Sequence, residues 1–170
     1  VGALMQIFLP EYDRLCEQHM ASHMKMVMGI MQEKGAAGIP DVLSLPFADP
    51  DVPVITQDLL DAAEADAAVY VIGRTSGEAK DRRLDPGDYY LTDAELEAIR
   101  TCAEQYEKFI LVINCGSAMD MAFVEQIPGI NAIVYICQLG TEGGHAFADV
   151  VSGAVSPSGK LSDTWAKQYA

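Results

Sequence analysis

Three short apolar runs, separated by segments with helical spacing, dominate the hydrophobic pattern of the chain after residue 65. They cover residues 68–72, 109–113 and 132–137. Continuous apolar runs of this length are typical of strands that are covered on both faces, as in parallel sheets. Strands that alternate with helices predict right-handed βαβ units. We therefore expect an α/β fold, a three-layer α/β/α sandwich with a mostly parallel sheet.

Helix start signals lie before and between the predicted strands. Thr56 is placed to cap a helix that runs to about residue 66. Thr92 and Glu95 form a capping-box pattern at the start of a helix that runs to about residue 106. Two shorter helices are predicted after the second and third strands, at residues 119–126 and 145–151.

The first third of the chain carries one long helical pattern. Residues 11–34 place apolar side chains at spacings of three and four, after a predicted short strand at residues 4–9 and before a proline-rich loop at residues 40–54. We expect the methionines of this helix in the core, because methionine fills irregular apolar space. If their face stays uncovered, a homodimer is the alternative. The row consists of Met20, Met24, Met28 and Met31.

Cys16, His19 and His23 share a face of the same helix, at positions i, i+3 and i+7. This spacing could hold zinc. No second ligand cluster accompanies it, and the same face carries methionines. We therefore favour packing and predict no metal site.

Composition and charge narrow the classes of partner. The 170-residue chain is 50% hydrophobic, which suits one domain, residues 1–170, with a buried core. Its 25 acidic and 11 basic residues give a formal net charge of −14, which argues against nucleic acid and anionic membranes as partners. The four cysteines are widely spaced without a C-x-x-C pair, so we expect reduced thiols and a cytoplasmic setting.

A polar loop that contains glycine follows each predicted strand. Ligands bind at the carboxyl ends of parallel strands, so these loops are candidate binding loops. The loop at residues 73–82 combines a glutamate, two glycines and flanking cations. Gly77 allows backbone conformations that could aim Glu78 into a cleft. A solvated, charged surface loop is the alternative, and the pattern alone supports both.

Three ordered motifs between residues 54 and 165 resemble the α/β sandwich domain of family 3 glycoside hydrolases. Residues 74–82 match a family segment of the form R-x-S-G-E-G-x-D-R, with Ala79 where the family usually has glycine. Residues 140–150 resemble the segment G-x-E-G-G-x-A-x-A-D-V, and residues 153–161 resemble G-x-x-x-P-S-G-K-L.

The resemblance implies a retaining, β-glucosidase-like glycoside hydrolase with a carbohydrate substrate and no cofactor. It implies that Glu78 is the general acid/base and that Arg74, Asp81 and Arg82 shape the loop or contact sugar. Retaining enzymes use a second carboxylate about 5–5.5 Å from the first. In this family that nucleophile is an aspartate of a separate barrel domain. We therefore expect the chain to be a fragment of a longer, multidomain enzyme and to be inactive alone.

Two other functions remain open on the sequence. The same fold could serve as a non-catalytic carbohydrate-binding or scaffolding domain, with Trp165 either a sugar platform or an anchor for a following domain. The turn at residues 140–144, at a helix N-terminus, could bind phosphate in a flavodoxin-like protein. It lacks G-x-G-x-x-G and G-K-[ST] patterns. We therefore favour glycines that let the helix pack closely.

Overall fold

The structure, a computed structural model, describes residues 2–45, 54–74 and 82–166, with side chains from residue 13 onward. It divides into two compact units, Gly2–Glu64 and Ala65–Ala170. No helix among these described residues is long and apolar enough to cross a bilayer.

The first unit is helical in its described part. It holds α1 (Gly2–Lys34), a 3-10 turn (Gly35–Gly38), α2 (Ile39–Ser44) and α3 (Gln57–Ala63). The strand predicted at residues 4–9 is wrong, because a short apolar run does not distinguish strand from helix and leucine, methionine and glutamine favour helix. Part of the loop predicted from residue 40 is α2. Its proline lies in the first helical turn, where a missing N–H costs nothing.

The predicted methionine row of α1, from Met20 to Met31, lies on the surface rather than in the core. Met20 is 63% exposed and Met28 is 66% exposed. The expectation of a methionine core is therefore wrong. Helical spacing shows that a helix has an apolar face, and it carries no information about whether another element covers that face.

The second unit is built on a parallel sheet. Its strands are β1 (Ala67–Gly73), β2 (Lys108–Asn114) and β3 (Ala132–Tyr135), in the order β1-β2-β3, and both neighbouring pairs are parallel. Helix α4 (Asp93–Gln105) connects β1 to β2, a 3-10 turn (Ala122–Gln126) precedes β3, and α5 (Gly143–Val151) follows it. The α/β class and the parallel sheet are confirmed. The predicted helix at residues 119–126 is instead the shorter 3-10 turn.

The core of this unit surrounds the central strand β2 and includes the buried side chains of α4. Phe109 and Leu111 of β2 and Ile99 of α4 are completely buried. The outer strands are less well covered, since Val71 of β1 is 51% exposed and Ile133 of β3 is 42% exposed. The expectation that all three strands are covered on both faces therefore holds for the central strand only. β1 and β3 are the edges of the three-stranded sheet, where fewer neighbours exclude water.

Candidate functional site

The carboxyl ends of the three strands share one edge of the sheet, and the backbone of Arg74 bridges them. Arg74 directly follows β1, and its N–H donates to the carbonyl of Asn114 at the end of β2. Its own carbonyl accepts a hydrogen bond of 2.8 Å from the side chain of Gln138, just beyond β3. The end of β2 and the loops after β1 and β3 therefore meet at Arg74.

The Arg74 side chain is buried and makes five hydrogen bonds. Two of them, of 2.6 and 2.8 Å, go to the two carboxylate oxygens of Glu95. The other three go to the carbonyl oxygens of Asp88, Gly73 and Tyr90, at 2.9, 2.8 and 3.5 Å. A guanidinium has five N–H donors, so every donor of Arg74 has a protein acceptor.

Glu95 also closes the N-terminus of α4. Its carboxylate accepts a hydrogen bond of 2.8 Å from the N–H of Thr92, and the Thr92 hydroxyl accepts one from the N–H of Glu95. This is the predicted capping box. One carboxylate therefore joins the start of α4 to the end of β1 through Arg74.

Arg82 lies on the other side of residues 75–81 and binds the same region. Its Nε donates to the hydroxyl of Ser117, beyond β2, at 2.6 Å. Its Nη1 donates to the Asp88 carboxylate at 2.9 Å and to the Asp88 carbonyl at 3.3 Å. Its Nη2 is buried and has no hydrogen-bond partner in the described part of the chain. Ser117 is itself held, because its carbonyl accepts a hydrogen bond from the thiol of Cys115 at 3.0 Å.

Asp88 is the common acceptor of both arginines. Its carbonyl oxygen accepts from Arg74 and from Arg82, and its carboxylate accepts from Arg82 and from the N–H of Arg83. Burial acts to raise the pKa of this carboxyl. The hydrogen bonds and the positive charges of Arg82 and Arg83 outweigh burial and hold its pKa below the ordinary value of 3.8. Asp88 is therefore held as a carboxylate.

The structure brings together two of the four site residues predicted from the sequence. Arg74 and Arg82 meet at the carbonyl oxygen of Asp88. Glu78 and Asp81 belong to residues 75–81, outside the described residues. The sequence prediction missed Glu95 and Ser117, which lie 21 and 35 residues from their arginine partners. No short-range pattern marks such pairs.

The loop after β3 has an unusual backbone. Cys137 and Gln138 have φ values of 50° and 52°, in the left-handed region that residues other than glycine rarely occupy. The hydroxyl of Tyr135 donates to the Cys137 sulfur at 3.4 Å, and its ring packs edge-on against Trp165 at 5.2 Å. Burial, followed by the neighbouring Cys137, raises the pKa of Tyr135 to about 12.

The glycine turn before α5 is shaped by its own loop. A Cβ on Gly143 would lie 2.5 Å from the Cβ of Leu139, so this position requires glycine. The carboxylate of Glu142, at the helix N-terminus, contacts the His145 ring at 2.6 Å. A carboxylate already placed at this terminus disfavours a second anion, so the geometry supports a structural role for the turn.

The predicted face of Cys16, His19 and His23 lies on α1, as expected. Within the described ranges, no three His, Cys, Asp or Glu side chains come together in a group that could hold a metal ion.

Comparison with known proteins relates the chain to one family. The profile of the glycosyl hydrolase family 3 C-terminal domain matches residues 16–170 and so spans both units. The chain is 37% identical over 120 residues to a β-glucosidase of Ruminococcus albus, an alignment of 70% of this chain and 13% of the relative. It is 35% identical over 138 residues to β-glucosidase A of Butyrivibrio fibrisolvens, an alignment of 67% of this chain and 17% of the relative.

Solved structures give the same relationship. A β-glucosidase from Paenibacillus barengoltzii superimposes with a TM-score of 0.68 at 30% identity, covering 85% of this chain and 16% of the other. β-Glucosidase 3B from Thermotoga neapolitana, solved with glycerol, gives a TM-score of 0.63 at 30% identity, covering 86% and 20%. The chain therefore spans less than a quarter of the length of these similar proteins.

Proposed function

Because the chain belongs to the C-terminal domain family of family 3 glycoside hydrolases, we propose that it is the sandwich domain of a retaining, β-glucosidase-like enzyme. In this proposal Glu78 is the general acid/base for hydrolysis of β-glycosidic bonds. The nucleophile comes from a barrel domain elsewhere in the enzyme, and the substrate is a carbohydrate.

The observation that carries the proposal is the anchoring of the segment that contains Glu78. Arg74 and Arg82, which flank it, both donate to the carbonyl of Asp88 at the carboxyl edge of the sheet. Ligands of parallel α/β sheets bind at this edge. The residues that flank the segment are therefore both held at the edge of the sheet where a ligand would bind.

The two arginines have different roles in this proposal. Arg74 has no free donor, so we assign it to shaping the loop. Arg82 donates three hydrogen bonds to Ser117 and Asp88, and it is proposed to shape the loop or to contact sugar. Asp81, between Glu78 and Arg82, is proposed to shape the loop or to contact sugar.

The chemistry suits a glutamate on such a segment. A retaining glycosidase needs a protonated carboxyl that donates to the leaving oxygen and afterwards accepts a proton from water. The second carboxylate attacks the sugar, so it needs an oxygen that can reach the substrate. Asp88 and Glu95, which are described at this edge, are bound by Arg82 and Arg74. Neither is available as a nucleophile, which supports a nucleophile from another domain.

A domain exchange tests the proposal. Residues 16–170 replace the matching domain of the Ruminococcus albus β-glucosidase, and hydrolysis of aryl β-glucosides is measured. We expect Glu78→Gln to lower kcat/KM by about 10²–10⁴-fold for poor leaving groups, which need protonation, and much less for activated ones. With activated substrates, turnover should instead be limited by hydrolysis of the glycosyl-enzyme, which has lost its general base. Azide should restore turnover of activated substrates in this variant and give the β-glycosyl azide, because a small anion attacks without general-base help.

Glu104→Gln is the matched control, since Glu104 is an exposed glutamate of α4. A folded, active hybrid enzyme in which Glu78→Gln behaves like Glu104→Gln would contradict the acid/base role and favour the non-catalytic alternative. The isolated chain is expected to show no turnover. Turnover by the isolated chain that disappears in Glu78→Gln would contradict the need for a second domain.

A further inference from the structure

We propose that Cys115 and Cys137 are a peroxide-sensitive thiol pair that forms a reversible intramolecular disulfide at the carboxyl edge of the sheet. This inference concerns a modification site and does not depend on the role of Glu78.

The two cysteines follow the carboxyl ends of the neighbouring strands β2 and β3. Ile113 of β2 is paired with Tyr135 of β3, and the N–H of Ile136 extends the ladder by donating to the carbonyl of Ile113 at 2.9 Å. Cys115 and Cys137 each lie two residues beyond that pair. Neighbouring strands are about 4.8 Å apart, and disulfides join Cα atoms about 4.4–6.8 Å apart. Beyond β3 the positive φ of Cys137 turns the chain out of the strand, and the hydrogen bond from the Gln138 side chain to the Arg74 carbonyl carries this loop across the end of β2, which Cys115 follows.

The two sulfurs differ in exposure and in hydrogen bonding. Both cysteines are free thiols; Cys137 is exposed and Cys115 is buried. The exposed sulfur accepts a hydrogen bond from Tyr135, and the buried thiol donates to the carbonyl of Ser117. Burial raises the pKa of Cys115, and Cys137 acts electrostatically on it in the same direction, as expected for neighbouring sulfurs. Cys137 is therefore the sulfur that reacts with the oxidant. Cys115 attacks in the second step, and because its raised pKa keeps it protonated, that step should quicken as the pH rises.

The chemistry balances with hydrogen peroxide as the oxidant. The Cys137 thiolate attacks one peroxide oxygen, the O–O bond breaks, hydroxide leaves and takes up a proton, and a sulfenic acid forms. The Cys115 sulfur then attacks the Cys137 sulfur, the S–O bond breaks and water leaves. Two thiols and one peroxide give one disulfide and two waters, and two electrons pass from sulfur to oxygen.

Disulfide formation should also affect the hydrogen bond between Ser117 and Arg82 in the candidate functional site. The thiol proton of Cys115 is consumed, so the carbonyl of Ser117 loses its donor, while the hydroxyl of Ser117 is the acceptor of Arg82 Nε. The bond that holds Arg82 should therefore loosen in the oxidised protein.

Peptide mass mapping of the whole chain tests the proposal. After hydrogen peroxide treatment and blocking of free thiols, we expect one disulfide-linked pair of peptides that contains Cys115 and Cys137 and disappears on reduction. Cys16→Ser, the control on α1, should give the same link. Cys115→Ala should instead accumulate a sulfenic acid at Cys137 that dimedone traps. Persistent dimedone labelling of Cys137 in the wild type, or a link from Cys137 to another cysteine or another chain, would overturn the pair.

Limited trypsin digestion tests the coupling to Arg82. Cleavage after Arg82 should become several-fold faster in the oxidised wild type and stay unchanged in oxidised Cys137→Ser, whose substitution lies at an exposed position. Cleavage after Arg100, on the exposed face of α4, is the internal control. An equal increase at both arginines would show general loosening and would contradict a specific effect on Arg82.

Discussion

Arg74 and Glu95 form two parallel hydrogen bonds of 2.6 and 2.8 Å, with side chains only 4% and 8% exposed. The pair connects the end of β1 to the first turn of α4. Such a pair is costly to bury, and the remaining donors of Arg74 are therefore directed at backbone carbonyls. Its main effect is to fix the position where the chain leaves β1.

Removal of either partner should destabilise the protein strongly. Arg74→Met or Glu95→Gln leaves a buried polar group without its partner, and we expect a loss of about 3–5 kcal/mol in the free energy of unfolding. The double variant should lose clearly less than the sum, because no unpaired charge remains. Urea denaturation measures all three. Arg83→Met is the control, since Arg83 is two-thirds exposed and should change stability by less than about 1 kcal/mol. Strict additivity in the double variant would show that the two side chains are not coupled.

Asp88 should make stability depend on acid pH. Its folded pKa is below 3.8, so its contribution is complete above the unfolded pKa and is lost as the pH falls through the folded pKa. The stability difference between wild type and Asp88→Asn should therefore be largest near neutral pH and shrink below about pH 4. Urea denaturation over a pH series measures it. The exposed control Asp66→Asn should change stability little throughout, and a constant gap for Asp88→Asn would refute the lowered pKa.

Cys102 should make the stability of the protein depend on alkaline pH. Burial raises the pKa of its thiol from 9.0 to about 11. The neutral thiol is favoured in the folded protein, so its contribution is complete below about pH 9 and is lost as the pH rises towards 11. Two pKa units correspond to on the order of 2–3 kcal/mol. Cys102→Ala should be less stable at pH 7 but lose stability less steeply between pH 9 and 11. Cys16→Ala should keep the wild-type slope, and parallel slopes for Cys102→Ala would count against the shift.

The core side chains of β2 should dominate stability. Leu111 is completely buried, and Leu111→Ala should cost about 2–5 kcal/mol because it removes apolar contacts and leaves a cavity. Leu161 is 55% exposed, and Leu161→Ala should change stability by no more than about 0.5 kcal/mol. Thermal and urea unfolding of the two matched variants measures the difference. Similar losses in both variants would mean that the core does not lie against β2.

The features that the sequence predicted correctly depend on neighbours in the chain. The apolar runs form β1, β2 and β3, because a short continuous apolar stretch is typical of a strand in a buried parallel sheet. The capping box of Thr92 and Glu95 was visible because its two residues are three apart.

The features that it missed depend on the folded sheet. Glu95 meets Arg74 only after β1 and α4 have packed together, and Ser117 meets Arg82 only after β1 and β2 have paired. The spacing of Met20 and Met28 predicted a helix, which α1 confirms, but spacing cannot reveal whether another element covers the methionines. Long-range partners therefore need the three-dimensional structure.

The carbonyl oxygen of Asp88 is a common anchor for both ends of the interval between Arg74 and Arg82. The residue before the interval and the residue after it each donate a guanidinium hydrogen bond to that oxygen. Both anchors of that interval therefore belong to the described part of the sheet unit. Closing a longer interval adds only about 0.6 kcal/mol for each doubling of its length. New residues could thus be inserted there, by evolution or by design, without rebuilding the scaffold.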